Sequence, residues 1–573
     1  MAHRWLKEEN IGSIPDLLDS MTEKMGKKTA LIYMGRRMSY SDLSANVRKI
    51  ALFVRQHTKA GDRVALLMPN IPQFAFCYYG ILSAGRIAVP INFMSIAADL
   101  KTKNINDIKI TPEILGQIKD AHPVLIFAAD FFYPVLIQAG LDNSCPVILT
   151  SPGEYLPWYL KPLYALKSRK EGRHIGRRVH GVLWFKKIFT DFPEGLLLER
   201  YDPDSIAQLQ YTGGTTGGNP KGAILTHRNL VSNLLQAREH FGDLFVDGEE
   251  VVMGALPFFH IYGMTTCLNM AILSLGAQLV LMPVFDPKTA IKYIGKYGVS
   301  VFPGVNLMYK KMLDHEKAFK SANLKSLKLC ISGAGPIDKG ICDKFRELTG
   351  SVVIVEGYGL SETSPVISVT RSEDLNQDRP SGFIGKPLPG TTVRIVGENG
   401  EILGPGLVGE IVVSGPQVMS GYYKKDNETK LVLDGGWFRT GDAGYLDADG
   451  YLYFTDRIKD VIKVLGENIY ASDIEKRMMG LPLVAEAVVV GIPDIKSGET
   501  PVALVVLIEE CEDNLKKRAE ELIMKSISGN QDWPKLQRPT MVMAVDSLEE
   551  FKNPIGKILK RKIREHLNFQ KLR

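Results

Sequence analysis

Short runs of β-branched and apolar residues alternate with helical patterns through most of the chain, and few architectures accommodate that alternation. Val64-Ala-Leu-Leu-Met, Val124-Leu-Ile-Phe, Leu327-Lys-Leu-Cys-Ile and Val352-Val-Ile-Val are examples. Strands separated by helices pair in parallel and are covered on both faces, so the pattern predicts layered α/β subdomains. Several runs end in Gly- or Pro-bearing turns, as at Met68-Pro-Asn, Ser332-Gly-Ala-Gly-Pro and Glu356-Gly-Tyr-Gly. Loops beyond strand ends are where such sheets bind ligands. With 573 residues the chain is too long for a single core. Near residues 400–456 the texture changes to short, turn-rich strands (Gly409-Glu-Ile-Val-Val-Ser-Gly, Trp437-Phe-Arg-Thr-Gly-Asp, Gly450-Tyr-Leu-Tyr-Phe), which predicts a small β-barrel closing a large N-terminal domain, 1–456. A compact α+β domain, 457–573, is expected after it, with strands near Ala485–Gly491 and Val502–Leu507 and a helix near Leu515–Ser526. No internal repeat is present.

Residues Tyr211-Thr-Gly-Gly-Thr-Thr-Gly-Gly-Asn-Pro-Lys-Gly222 form a loop suited to phosphate. Glycine accepts positive φ and carries no Cβ, so successive backbone N–H groups can close on phosphate oxygens, and Thr215 and Thr216 add hydroxyl donors. The loop is not a Walker motif: Lys221 follows Pro220 and precedes Gly222, where that motif needs Gly before and Ser or Thr after. It follows the strand-like Ala207–Tyr211, and a helix is expected next. Leu230, Leu234, Ala237 and Phe241 make that helix's apolar face. A second lysine, Lys557, stands far away in Asn553-Pro-Ile-Gly-Lys557, where Pro554 and Gly556 shape a defined loop.

Composition narrows the class. Hydrophobic residues at 45% and charged residues at 23% describe an ordered globular protein, and a net charge of +6 at this size lacks the basic stripe of a nucleic-acid binder. The six cysteines have no Cys-x-x-Cys spacing and read as reduced core residues of a cytoplasmic protein. The N-terminus has no apolar signal region, and the greasiest stretch, Thr265–Pro283, is interrupted by Asn269, Ser274 and Gln278, so neither a signal peptide nor a membrane span is expected. The segment 161–188 mixes Lys167, Arg169, Lys170, Arg173, Arg177 and Arg178 with Leu163, Leu166, Trp184 and Phe185. It reads either as a solvated insertion or as a peripheral contact with an anionic membrane. His227 reads as structural, and Phe93–Ala121 has no assignable role.

Six segments, in order, resemble the motifs of the adenylate-forming superfamily of acyl-CoA synthetases, peptide-synthetase adenylation domains and luciferases. They are Tyr211–Gly222, Leu256-Pro-Phe-Phe-His260-Ile-Tyr-Gly, Tyr358-Gly-Leu-Ser-Glu362, Trp437–Asp442, the hinge-like Asp456–Ile469, and Asn553–Lys557. The resemblance implies that Thr212, Gly213, Gly214, Thr215, Thr216, Gly217 and Lys221 cradle the phosphates of ATP. Gly333, Ala334, Gly335, Tyr358 and Gly359 would receive adenine, Ser361 the α-phosphate, and Asp442 with Arg457 the ribose. Glu362 would hold Mg²⁺, His260 would border the acyl site, and Lys557 would be the catalytic cation. The C-terminal domain would be mobile about Lys459, with Lys463 in the same motif and Gly466 making room for the pantetheine of CoA.

Within that superfamily Gln210–Gly217 and Lys221-Gly-Ala-Ile-Leu-Thr-His-Arg-Asn-Leu look most like long-chain fatty-acid CoA ligases. The expected activity is ATP-dependent formation of a fatty acyl-AMP, then acyl transfer to CoA. Delivery to a carrier-protein pantetheine is the alternative within this chemistry, and a luciferase-like monooxygenase the alternative of another class. A homodimer is compatible with the sequence. The phosphate loop carries one extra residue (Gly218-Asn219), Ser361 stands for a commoner Thr, Ala471 for a Pro and Asn553 for a Thr.

Overall fold

The computed structural model describes residues 11–96, 99–102, 107–140, 145–171, 182–191, 201–212, 220–350, 352, 354–376, 380, 382–508, 513–552 and 558–571. The chain forms two compact units: Met1–Arg379 with Ile384–Thr392 and Val413–Phe438, and Pro380–Phe383 with Val393–Val412 and Arg439–Arg573.

The first unit is α/β, built on two sheets. One runs in the order Lys386–Pro387, Val366–Val369, Ile354–Gly359, Leu329–Ser332, Val301–Gly304, Val251–Gly254, Gln278–Leu281, Thr29–Tyr33, Arg36–Ser39, and is parallel from Ile354–Gly359 through Thr29–Tyr33. The other runs Gly421–Tyr422, Gly222–Thr226, Ile206–Tyr211, Ile87–Pro90, Arg63–Leu67, Leu125–Ala129, Val147–Thr150, Val182–Trp184, and is parallel from Ile206–Tyr211 onward. The predicted strands are therefore present, and their near-continuous apolar runs follow from burial on both faces. Helix Pro72–Ser83 is buried along its whole length. The stretch expected to be greasy but not spanning forms a buried π-helical segment, Met264–Ser274, and the strand Gln278–Leu281. Among the described residues no helix is long and apolar enough to cross a membrane.

Two expectations need correction. Glu356-Gly-Tyr-Gly is no turn: it continues the strand Ile354–Gly359, held extended by antiparallel pairing of its last three residues with Val366–Val369. The glycine-rich loop does not lead into a helix: a strand, Gly222–Thr226, intervenes and pairs antiparallel with Ile206–Tyr211. The helix His227–Phe241 comes next. Its start is a reciprocal cap in which Thr226 Oγ1 accepts from Asn229 N–H at 3.1 Å and Asn229 Oδ1 accepts from Thr226 N–H at 2.9 Å. Leu230, Leu234 and Ala237 are buried as predicted, but so are Asn229, Asn233 and Gln236. These three sit at i, i+4 and i+7, a second, polar stripe. Each is bonded: Asn229 Nδ2 donates to the Pro416 and Val418 carbonyls at 2.8 and 2.9 Å. Asn233 donates to Val366 O at 2.8 Å and accepts from Val366 N–H at 3.0 Å. Gln236 Nε2 donates to Gln417 Oε1 at 3.0 Å.

The second unit contains most of the turn-rich strands Gly409–Ser414 and Trp437–Leu446, all of Leu452–Arg457, and an α+β body. In that body Val484–Asp494 pairs antiparallel with Gly498–Leu507, which pairs in parallel with Met541–Ala544. Side chains alternate across a strand, so Val489, Ala503 and Val505 join Ile474, Met478, Ile523 and Ile527 in one core. Val488, Val490, Val502 and Leu504 join Ile563 and Leu567 in the other. The expected helix is Asp513–Gly529.

His227 is structural, as read from the sequence: it is buried, and its Nδ1 accepts from Ile14 N–H at 3.3 Å. Burial lowers its pKa to about 4. Above pH 6.5 the folded and unfolded chains both hold this histidine neutral and it contributes no pH dependence. As pH falls from 6.5 toward 4 the unfolded chain takes a proton that the native one refuses, so stability falls across that window. Thermal unfolding of a His227→Gln variant against the parent checks this, and the variant is expected to show the shallower loss of midpoint between pH 6.5 and 4.

Candidate functional site

In the first unit the site is assembled by topology. Strands Val251–Gly254, Leu329–Ser332 and Ile354–Gly359 run parallel in one sheet, so the turns after their carboxyl ends lie along the same edge. Those turns carry His260, Gly333–Gly335 and Leu360–Glu362. Buried Asn70 shapes the first of them, donating to the Gly254 and Leu256 carbonyls at 3.0 and 2.7 Å and accepting from Phe258 N–H at 2.9 Å. Tyr262 ties it to the neighbouring strands, its hydroxyl lying 3.1 Å from both Gly304 O and Ile331 O.

His260 caps the short helix Ile261–Gly263, where its Nδ1 accepts from Tyr262 N–H at 3.2 Å. In the neutral ring that acceptor role leaves the proton on Nε2. Of the three residues expected to admit a base, Gly333 is constrained by the protein itself: a Cβ there would meet the Tyr262 ring at 3.0 Å. Ala334 adopts φ +68, a left-handed conformation that costs a residue with a Cβ, whereas Gly335 stands in open space. Tyr358 lies half-buried at the end of its strand. At Gly359 a Cβ would run into the Pro365 carbonyl, which explains the glycine without a ligand. Glu356, two residues before Tyr358, accepts from Ile337 N–H of the 333–337 turn, and burial pushes its carboxyl up to about 8.

Glu362 sits in the turn Ser361–Thr363 and is 8% exposed. Its Oε1 accepts from the Tyr422 hydroxyl at 2.8 Å, and its backbone carbonyl accepts from Met419 N–H at 2.8 Å. Lys221, half-buried, places its ammonium 5.0 Å from the centre of the Tyr422 ring. Two residues from distant parts of the sequence, Glu362 and Lys221, thus meet around the phenol of Tyr422. Burial and the Glu362 carboxylate push that phenol's pKa well up, so it donates throughout the neutral range. A carboxylate offers about four lone-pair directions, so accepting from Tyr422 does not exhaust Glu362. Mg²⁺ takes one or two carboxylates beside phosphate and water oxygens, and this donor fits it.

The root of the phosphate loop is fixed from both sides. Thr212 N–H donates to Lys221 O at 3.0 Å, and the Tyr211 hydroxyl donates to Asp120 Oδ2 at 2.7 Å. Asp120 lies near the end of the segment 93–121, for which the sequence suggested no role. Sequence reasoning missed Asp120 and Tyr422. The only signal for either was the Gly421-Tyr422 pair, where Gly421 takes φ +146. Gly213–Gly217 and Lys557 lie outside the described residues.

The second unit holds the other predicted residues. Asp442 is fully buried on Trp437–Leu446, directly across from Arg457, whose Nε lies 2.8 Å from Asp442 Oδ1. Asp456 Oδ2 accepts from Ser472 N–H at 3.1 Å and lies 4.0 Å from Lys560 Nζ. Lys459 is exposed in the turn Ile458–Asp460, while Asp460 is bonded by Arg564 at 3.1 Å. Lys463 Nζ lies 3.4 Å from Glu398 Oε1. Gly466, at φ +86 with open space around it, turns the hairpin between Ile462–Val464 and Glu467–Ile469. Here the glycine is required by the backbone.

The AMP-binding enzyme family model matches residues 18–423, and the AMP-binding enzyme C-terminal domain model matches residues 473–557. The chain belongs to the AMP-binding enzyme family, whose members form adenylates at the expense of ATP. It is 36% identical over 560 residues to the long-chain-fatty-acid–CoA ligase of Bacillus subtilis (96% of this chain, 94% of that one). It is 32% identical over 577 residues to the enzyme of the same name from Escherichia coli O157:H7 (96% and 94%). Among solved structures it resembles ATP-bound MatB from Rhodopseudomonas palustris, with 25% identity, a TM-score of 0.75, and 96% and 98% of the two chains covered. The anthranilate CoA ligase AuaEII in complex with anthranoyl-AMP shares the fold at TM-score 0.79 and 22% identity, with 99% and 100% covered.

The ion contact in the second unit yields a test. Arg457→Met leaves the buried Asp442 carboxylate without its cation and is expected to cost about 2 kcal/mol. Urea denaturation is the measurement, and Arg457→Lys is expected to recover part of the loss.

Proposed function

We propose that the protein is an ATP- and Mg²⁺-dependent fatty-acid CoA ligase acting on long-chain acids. The observation that carries this reading is similarity along nearly the whole chain to long-chain-fatty-acid–CoA ligases, at 36% identity over 560 residues. A carboxylate resists attack by a thiol because oxide is a poor leaving group. In the first half-reaction a carboxylate oxygen bonds to the α-phosphorus of ATP and the bond to pyrophosphate breaks. In the second the CoA thiolate attacks the acyl carbon and AMP leaves with the carboxylate oxygen.

The chain's residues divide that work. Thr212, Lys221 and the loop Gly213–Gly217 bind the phosphates, Tyr358 with Gly333–Gly335 and Gly359 the base, and Asp442 with Arg457 the ribose. Ser361 places a hydroxyl on the α-phosphate, and Lys557 supplies positive charge where the carboxylate and triphosphate meet. His260 borders the acyl chain. Glu362 would hold Mg²⁺, which when bound neutralises phosphate charge. For the thioester step, residues 457–573 turn about Lys459, in the motif that also holds Lys463, carrying Lys557 away and presenting Gly466 to pantetheine.

We assign the protein to the cytoplasm with a peripheral contact to anionic membrane through 161–188. The helix Lys161–Lys170 supports that contact: Leu163 and Leu166 are 63% and 66% exposed, among the exposed Lys161, Lys167, Arg169 and Lys170.

The test is pyrophosphate release with ATP and Mg²⁺ over acids from acetate to oleate and aryl acids, with and without CoA. Turnover is expected to peak at long acyl chains and to need CoA, and Lys557→Ala is expected to lose adenylation about 10²-fold or more while still binding ATP. Release without CoA consumption contradicts the CoA assignment, and failure of every acid to release pyrophosphate contradicts the ligase.

A further inference from the structure

We infer that Tyr422 is a positioning residue for adenylate formation: its hydroxyl aims the Glu362 carboxylate while its ring face holds the Lys221 ammonium. One side chain thereby sets both the group that would hold the metal and the cation of the phosphate loop. The inference rests on the nucleotide reading above and deepens it.

The ring has little freedom. Tyr422 N–H donates to Thr429 Oγ1 at 2.9 Å, and its residue pairs with Ala223 on the strand that follows the phosphate loop. Ser420 N–H and Tyr423 N–H donate to Ile224 O and Gly222 O at 3.1 and 2.8 Å, clamping the residue from either side. On the other flank Asn229 holds the Pro416 and Val418 carbonyls. Glu362 is joined to the same segment twice, by its side chain to Tyr422 and by its carbonyl to Met419 N–H. A movement of the 419–422 segment therefore carries the carboxylate with it.

The two faces of the phenol do different work. A hydroxyl bonded to one carboxylate oxygen fixes the rotation of that carboxylate, as partners of metal-holding residues do, and losing such partners costs about 10- to 100-fold in metal affinity. The ring face attracts an ammonium 5.0 Å away without occupying its N–H donors. A contact of that kind orders Lys221 without using the N–H donors that a phosphate oxygen needs. Lysine has a long flexible stem, and the ring removes part of the ordering cost that phosphate binding would otherwise meet.

ATP binding measured by calorimetry, with no acid present and Mg²⁺ titrated from zero, separates the two roles from mere structural support. Tyr422→Phe keeps the ring and loses the hydroxyl, so metal-free ATP affinity is expected to hold while the Mg²⁺ concentration giving half of the metal's enhancement rises about tenfold. Tyr422→Leu loses the ring too and is expected to weaken metal-free ATP binding about threefold. In a Lys221→Met background the Leu substitution is expected to have no further effect on metal-free binding. A parental Mg²⁺ dependence in Tyr422→Phe, or a Leu effect that persists without Lys221, overturns the inference while the nucleotide reading stands. A parent that binds no ATP overturns both. A purely structural Tyr422 would lower the melting midpoint and leave these binding constants unmoved.

Discussion

Three amides on one helix hold the first unit's site together. A buried amide left without partners costs about 1–3 kcal/mol for each group, so wherever Asn229, Asn233 and Gln236 are buried, their partners are fixed as well. Those partners are the backbone at Val366, Pro416 and Val418 and the Gln417 side chain. Val366 follows the turn that bears Glu362, and 416–418 lead into the strand that bears Tyr422. The helix is anchored at its start by the Thr226–Asn229 cap, immediately after the strand that leaves the phosphate loop. Loop, carboxylate and phenol are thus referred to one rigid rod, which is what a constellation tolerating about 0.5 Å of error requires.

The parallel sheet supplies the second constraint. Because the strands ending at Gly254, Gly304, Ser332 and Gly359 share a direction, their turns form one edge without any long-range instruction. This part of the fold was legible in the sequence at Ser332-Gly-Ala-Gly-Pro, where an apolar strand runs into a turn, whereas Glu356-Gly-Tyr-Gly, expected as a turn, continues the strand Ile354–Gly359. The C-terminal body was legible for a related reason. Val488, Val489 and Val490 look like an unpatterned apolar run, yet a strand covered on both faces needs no polar alternation.

What the sequence hid was hidden for physical reasons. The strand Gly222–Thr226 has five residues and joins its partner through a glycine-rich loop, so the helical pattern beyond it masked its presence. The strand Gly421–Tyr422 is two residues long and shows no periodicity, although it carries the phenol on which Glu362 and Lys221 converge. Asn229, Asn233 and Gln236 look like a solvated helix face, because composition cannot reveal that backbone groups of distant segments will satisfy them. His260 illustrates the opposite case: a motif pointed to the acyl site, and the structure adds a capping bond that the histidine makes in any event. Asp442 and Arg457 were expected to work together, and their places on facing strands bring them to 2.8 Å.

The central claim is that the acid is activated by bonding one of its own oxygens to the α-phosphorus of ATP. The most direct measurement uses a long-chain acid with both carboxyl oxygens replaced by ¹⁸O, followed by mass spectrometry of the nucleotide and phosphate products after CoA is acylated. The account predicts one ¹⁸O in AMP and none in pyrophosphate. Label in inorganic phosphate beside ADP, or AMP without label, would contradict it.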